Sequence, residues 1–107
     1  MQANYYYESH VTIEPLTTDE QIDKFTVLCR QHNFHPAKLF MQKRPSDTEE
    51  RSKYDSFCSS RSRDYDTIVT NTVNLVKTLK EAGFRVWRYK VEDIQFDSKV
   101  KDIYNLL

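Results

Sequence analysis

The chain is poor in the residues on which several well-defined classes of protein depend. Its two cysteines, Cys29 and Cys58, are too few for a disulfide scaffold, and their spacing is not that of a zinc site. The sequence has one glycine, Gly83. Phosphate loops, dinucleotide-binding fingerprints and nucleophile elbows each need glycine at set positions, so the sequence contains none of these motifs. The sequence therefore predicts two reduced, buried thiols, no metal site and no cofactor.

Net charge and long apolar runs are also missing. Lys plus Arg and Asp plus Glu each number 16, so the formal net charge is +0, whereas duplex-binding proteins carry a basic excess that neutralises phosphate. No apolar run approaches the roughly 18 residues of a membrane span, and residues 1–4 lack the character of a signal peptide. We expect a cytoplasmic protein with no membrane partner. The charge balance disfavours nucleic acid without excluding a local basic patch.

The residues that are present predict one small folded domain. A chain of 107 residues fits a single domain spanning 1–107, and its 13% aromatic content argues against disorder despite 30% charged residues. Periodicity predicts the element order β-α-β-β-α-β. The predicted bounds are a strand at 5–14, a helix at 18–32, a strand at 37–43, a strand at 54–60, a helix at 65–82 and a strand at 84–94. An exposed polar loop occupies about 44–53, and a short C-terminal helix follows Asp97 or Ser98.

Start and stop signals support both helices. The candidate N-caps are Thr17 or Thr18 for the first helix and Asp64 or Asp66 for the second. Asn33 and Gly83 stand just past the two helices, where the backbone commonly takes a positive φ. The order of elements predicts a ferredoxin-like α+β sandwich, with a four-stranded antiparallel sheet and both helices on one of its faces. In this fold the first and third strands are central, and the fourth strand lies beside the first.

Alternation along the first strand predicts a polar row on the open face of the sheet. Glu8, His10 and Thr12 share one side of this strand, and Arg88 and Lys90 share one side of the last strand. Arg, Lys and hydroxyl donors suit phosphate or carboxylate ligands, and imidazole moves a proton near neutral pH. We interpret His10 and Thr12 as candidate catalytic residues, and the other three as ligand-binding. Ordinary cross-strand charge pairing is the alternative interpretation.

A second candidate anion site precedes the second helix. Arg61 and Arg63 alternate with serines just before Asp64, and a helix N-terminus offers free N–H groups to an anion. Both arginines are therefore candidate ligand-binding residues, although a capped turn with solvated arginines explains the pattern as well. His32 and His35, three residues apart, could ligate a metal only with a third group, and no paired acidic or cysteine partner lies nearby in sequence. A helix-end role is the simpler interpretation of this pair.

The segment His10-Val11-Thr12-Ile13 resembles the His-x-Thr motif of the two-histidine phosphoesterases, in which it lies on a strand. The resemblance implies a phosphodiester-cleaving reaction, with one histidine as base, a second as acid, and the hydroxyls holding phosphate. This chain has one such motif, and Arg61 stands where the second histidine is expected.

Two functions of different classes follow from these patterns. The first is binding of an anionic or phosphorylated small molecule, such as a nucleotide, on the open sheet face, with phosphoesterase-like activity as its catalytic form. The second is a non-enzymatic protein-interaction or homodimerisation module that uses the sheet face and the C-terminal tail.

Overall fold

The computed structural model describes residues 4–36 and 56–98. Their elements, in chain order, are β1 (Tyr6–Ile13), α1 (Asp19–Gln31), β2 (His35–Pro36), β3 (Ser56–Ser62), α2 (Tyr65–Glu81) and β4 (Val86–Ile94). The polar loop at 44–53, the predicted strand at 37–43 and the body of the predicted C-terminal helix lie outside the described residues. Within the described residues, neither helix is long and apolar enough to cross a membrane.

The strands form one antiparallel four-stranded sheet in the order β2-β3-β1-β4. The predicted positions of the first, third and fourth strands are thus confirmed, with β1 and β3 central and β4 beside β1. The α+β class with two helices is also confirmed, and the arrangement is compatible with a ferredoxin-like fold. The described part of β2 begins at His35, before the expected start at residue 37.

The core lies between the sheet and the helices. Val11 and Ile13 of β1 are 0% exposed and pack with Phe25 and Cys29 of α1. The remaining buried members of this cluster are Leu16, Phe34, Cys58, Leu75, Val76 and Leu79. The facing predicted for β1 therefore holds, since its odd-numbered residues from Ser9 to Ile13 are buried.

Strand β3 is rich in serine, which is a poor strand former. Its inward-facing positions are small, with Ser56, Cys58 and Ser60 all buried, whereas Phe57 and Ser59 between them are half-buried. The hydroxyl of Ser60 donates to a backbone carbonyl at the end of α1 at 2.7 Å. Tertiary contacts thus hold this segment extended, and it lies two residues later than the predicted 54–60.

Both helices end in the same hydrogen-bonded turn. Asn33 and Gly83 have φ values of 64° and 94°. Just after them, the Phe34 N–H donates to the Cys29 carbonyl at 2.9 Å, and the Phe84 N–H donates to the Leu79 carbonyl at 3.0 Å. These are Schellman turns, in which a left-handed residue stops the helix and directs the next apolar residue inward. The predicted stop residues are confirmed. The observed caps are Thr18 and Asp64, each of which accepts an N–H of the first turn.

A β-bulge interrupts the pairing of β4 with β1. Thr12 lies opposite Arg88, but Ile13 lies opposite Val86, so Trp87 is an extra residue on β4. Val86 packs against the core, and Trp87 remains 51% exposed. Simple alternation along the strand would place Trp87, Tyr89 and Val91 on one side. The bulge breaks that alternation, so only Tyr89 and Val91 keep the register that places them opposite Val11 and Ser9.

Candidate functional site

The open face of the sheet carries the polar row of β1 beside that of β4. Three pairs lie directly opposite each other, and directly opposite residues project to the same face. The pairs are Glu8 with Glu92, His10 with Lys90, and Thr12 with Arg88. Tertiary register therefore brings the histidine, the hydroxyl and both cations onto one surface.

These side chains surround a single shallow depression. Its volume is about 270 Å³, and its lining residues are His10, Thr12, Phe57, Arg88 and Lys90. Phe57 comes from β3 and forms the apolar side of the depression, with its ring edge-on to the imidazole at a centroid distance of 6.2 Å. Four of the residues singled out from sequence thus lie around one point. Phe57 is an addition, because its facing could not be assigned from the serine-rich pattern around it.

Carboxylates flank the imidazole on both sides. His10 Nε2 lies 3.2 Å from Glu8 Oε1, and His10 Nδ1 lies 3.8 Å from Glu92 Oε1. Glu92 also pairs with Lys90 at 3.0 Å, and its hydrogen bond with this lysine lowers the pKa of the Glu92 carboxyl. The two carboxylates therefore flank the imidazole and orient its ring on the open face.

Arg88 differs from Lys90 in its surroundings. It is exposed, and within residues 4–36 and 56–98 no carboxylate forms an ion pair with it. A guanidinium presents five N–H donors in a planar fork that matches a phosphate or carboxylate edge. The cation opposite Thr12 is thus available to a ligand, whereas Lys90 already has a carboxylate partner.

Glu8 and Arg61 form a second pair on the same face. Arg61 Nε donates to Glu8 Oε2 at 3.0 Å, and the guanidinium lies 4.9 Å from the centre of the Tyr6 ring. Such a cation–π contact fixes the plane of an arginine. Arg61, predicted for an anion site before α2, is therefore engaged by a carboxylate and an aromatic ring. Glu8 bridges this arginine and His10.

The N-terminus of α2 already holds a negative charge. The Asp64 carboxylate accepts the Thr67 N–H at 2.9 Å, and hydrogen bonds from Thr67 lower the pKa of Asp64. Arg63 is exposed in the turn between β3 and α2. The carboxylate occupies the place that an anionic ligand would take at this helix end. Arg61 and Arg63 were predicted to share one anion site, but their surroundings differ. Arg61 pairs with Glu8, whereas Arg63 is exposed in the turn before α2.

A second histidine lies in line with the first. His35 of β2 is opposite Ser59 of β3, which is opposite His10 of β1, and Lys90 of β4 completes this row across the sheet. Neighbouring strands are about 4.8 Å apart, so the backbones of the two histidines are about 10 Å apart. Sequence reasoning missed His35 because it started β2 after this residue.

A larger polar hollow borders the row on the side of β2. Its volume is about 620 Å³. Its lining residues are Asn33, His35, Ser59, Ser60, Arg61, Ser62, Thr67 and Asn71. No segment of local sequence predicts this hollow, since its residues come from two strands, a helix and a turn.

The remaining histidine has a structural role. His32 Nδ1 lies 3.0 Å from the carbonyl of Leu28, and its Nε2 lies 3.3 Å from the Thr78 hydroxyl. It therefore joins the end of α1 to α2, as a helix-end histidine is expected to do. Within the described ranges, no group of three His, Cys, Asp or Glu side chains could hold a metal ion.

Comparison of the sequence with protein-family models and with curated proteins gives no match.

Proposed function

We propose that the open sheet face binds the phosphate or carboxylate group of a small anionic ligand between β1 and β4. One observation carries this proposal. The register places Thr12 opposite Arg88 and His10 opposite Lys90, around a single depression of about 270 Å³. A hydroxyl, a guanidinium, an ammonium and an imidazole are four kinds of donor that an anion accepts from.

Each donor has a distinct part in this proposal. Arg88 gives the two-pronged contact, because among the described residues no carboxylate forms an ion pair with it. Thr12 donates its hydroxyl from the opposite strand, and Lys90 exchanges part of its contact with Glu92 for the ligand. His10, flanked by Glu8 and Glu92, donates an N–H when it is protonated. The ring of Phe57 offers an apolar surface to the rest of the ligand.

Phosphoesterase-like chemistry is the catalytic form of the same proposal. A water molecule would attack the phosphorus of a phosphoester while the P–O bond to the leaving group breaks, and Thr12 and Arg88 would hold the other phosphate oxygens. His10 would give its proton to the leaving oxygen and recover one from the attacking water. Replacing His10 with Asn should abolish hydrolysis of a cyclic nucleotide, whose alkoxide leaving group needs a proton, as followed by phosphorus NMR, while phosphate binding persists. Equal turnover by the parent and His10→Asn would refute the catalytic form and leave the binding proposal standing.

Binding is tested by NMR titration with inorganic phosphate, a nucleoside 5′-monophosphate and a cyclic nucleotide. The expected shifts centre on His10, Thr12 and Arg88. Arg88→Gln should weaken binding about tenfold, since a charge-assisted hydrogen bond contributes about 1.5–3 kcal/mol. The matched control is Arg30→Gln, because Arg30 is also an exposed arginine but lies on α1. If no anion shifts these signals, or if both variants bind alike, the proposal is wrong.

We also propose that the fold is ferredoxin-like and that the protein is located in the cytoplasm. The element order and the sheet order β2-β3-β1-β4 support a ferredoxin-like assignment. The free, buried thiols of Cys29 and Cys58 support a reducing, cytoplasmic location. The alternative function, an interaction module, has support from the edge of the sheet.

A further inference from the structure

Strand β4 forms one edge of the sheet. It pairs with β1 on one side, and no described strand pairs with its other side. It spans nine residues, Val86–Ile94. An edge strand presents a row of N–H and C=O groups that can pair with another chain. Natural edges of this length are usually protected by like charges, proline or a covering element.

Exposed apolar side chains follow one another along this edge. Trp87 and Tyr89 of β4 are 51% and 50% exposed, and Phe96 just beyond the strand is 63% exposed. The other exposed large hydrophobic residues among those described are Val27 of α1 and Tyr65 and Val73 of α2. Three such residues within ten positions of one edge mark an interaction surface better than single exposed residues would.

The two exposed hydrophobic residues of α2 lie on the side of this helix away from the polar hollow. Thr67 and Asn71 line that hollow beside β2 and β3, and Thr78 contacts the end of α1. Residues two positions apart on a helix are about 200° apart around its axis, so Tyr65 and Val73 are on the other side. The Tyr65 ring packs edge-on against Tyr7 of β1 at a centroid distance of 5.4 Å.

Charge along β4 changes sign near its middle. Arg88 and Lys90 lie in its first half, and Glu92 and Asp93 lie in its second half. Two such strands in antiparallel pairing place the basic half of one against the acidic half of the other. With Val91 opposite its own copy, Lys90 faces Glu92 of the second copy twice. Parallel pairing would instead place like charges together.

We propose that β4 pairs antiparallel with β4 of a second copy of this chain, which makes one continuous sheet across a twofold axis. The same surface patch serves both copies, as a twofold interface requires. Charge complementarity sets the antiparallel direction, backbone hydrogen bonds join the edges, and Trp87 and Tyr89 lose contact with water. A single strand of another protein would have to reproduce both the charge order and the apolar surface. The proposal does not depend on anion binding, because the mass of the protein in solution is measured with no anionic ligand present.

Sedimentation velocity of the full chain tests the proposal, from about 1 µM to about 1 mM, a range that covers weak to moderate association. The expected result is conversion from monomer to dimer. Trp87 is the chain's only tryptophan, so its emission should shift to shorter wavelength over the same concentrations. A monomer at every concentration overturns the proposal. A monomer with shielded Trp87 emission overturns it too, because the edge is then covered within a single copy of the chain.

Substitutions distinguish pairing of the β4 edges from nonspecific hydrophobic association. Tyr89→Ser should weaken dimerisation about tenfold, as truncation of a buried aromatic anchor does, whereas Val27→Ser on α1 should leave it unchanged. Glu92→Lys should abolish dimerisation because it places a lysine opposite Lys90 of the second copy at two points, and the charge swap Lys90→Glu with Glu92→Lys should restore it. Circular dichroism checks that each variant is folded. Equal dimerisation of Glu92→Lys and the parent, or failure of the folded swap to recover, overturns the proposal.

Discussion

A buried pair of hydroxyls joins the central strand to the second helix, and its removal has a calculable cost. Ser9 Oγ and Thr72 Oγ1 are 2.7 Å apart, and both residues are at most 3% exposed. Thr72 donates its only hydroxyl proton to the Ile68 carbonyl at 2.6 Å. Ser9 must therefore be the donor to Thr72. The pair holds the helix-facing side of β1, opposite the row that carries His10.

The two single replacements should differ in cost because of this direction. Ser9→Ala removes the donor while Thr72 keeps its bond to Ile68, so we expect a loss of about 1 kcal/mol in the free energy of unfolding. Thr72→Val keeps the volume but leaves the Ser9 hydroxyl buried without its acceptor, so we expect a loss of about 2 kcal/mol. The double replacement removes both polar groups and should cost about 1 kcal/mol, which gives a coupling energy of about 2 kcal/mol.

Urea unfolding followed by circular dichroism measures all four members of this cycle, with the denaturant slope as a check on two-state behaviour. Thr70→Val is the matched control for valine in α2, because Thr70 is exposed on the same helix. It should change stability by less than about 0.5 kcal/mol. Additivity of the two single replacements within about 0.5 kcal/mol would refute the coupling. An equal cost for the two would refute the inferred donor.

Three further perturbations follow from burial and capping. Cys29 and Cys58 are 0% exposed, and contact between the thiols together with burial raises the pKa of Cys58. Neither thiol should therefore react with a thiol reagent until urea unfolds the protein. Rapid labelling of the folded chain would contradict this. Phe25→Ala empties the centre of the core and should cost about 3–5 kcal/mol in unfolding experiments; a loss below about 1 kcal/mol would be inconsistent with the packing. The pKa of Asp64 is lowered by hydrogen bonds from Thr67, so its stabilising contribution is present above the unfolded pKa of about 4 and disappears as the pH falls through the folded value. The stability difference between the parent and Asp64→Asn should therefore change in acid and stay constant between about pH 6 and pH 8, and no change in acid would contradict the cap.

The helices could be predicted from sequence because their signals are local. The structure places α1 at Asp19–Gln31 and α2 at Tyr65–Glu81, each within about one residue of its predicted bounds. Thr18 and Asp64 cap them by bonding to the backbone three residues later. Every partner in these motifs is a sequence neighbour, so the pattern alone was informative. Facing along β1 was predictable for the same reason, since alternation needs no knowledge of the partner strand.

Features that depend on register between distant strands could not be predicted in the same way. The pairing of Arg61 with Glu8 joins residues 53 positions apart. The alignment of His35 with His10 requires the pairings of β2 with β3 and of β3 with β1. The bulge at Trp87 is invisible in a strand pattern that alternates without interruption. The sequence therefore predicted which residues of β1 and β4 line the candidate site. It did not predict that Phe57 of β3 lines it too, or that Glu8 pairs with Arg61 beside it.

The bulge in β4 separates two requirements that a regular strand would tie together. Val86 must pack inward, and Arg88 and Lys90 must project to the open face, yet all three positions are even-numbered. A strand with strict alternation would send all three to one face. The extra residue, Trp87, reverses the parity between them. Deletion of one residue at this point would restore strict alternation, and it would turn either Val86 out of the core or Arg88 and Lys90 away from the open face.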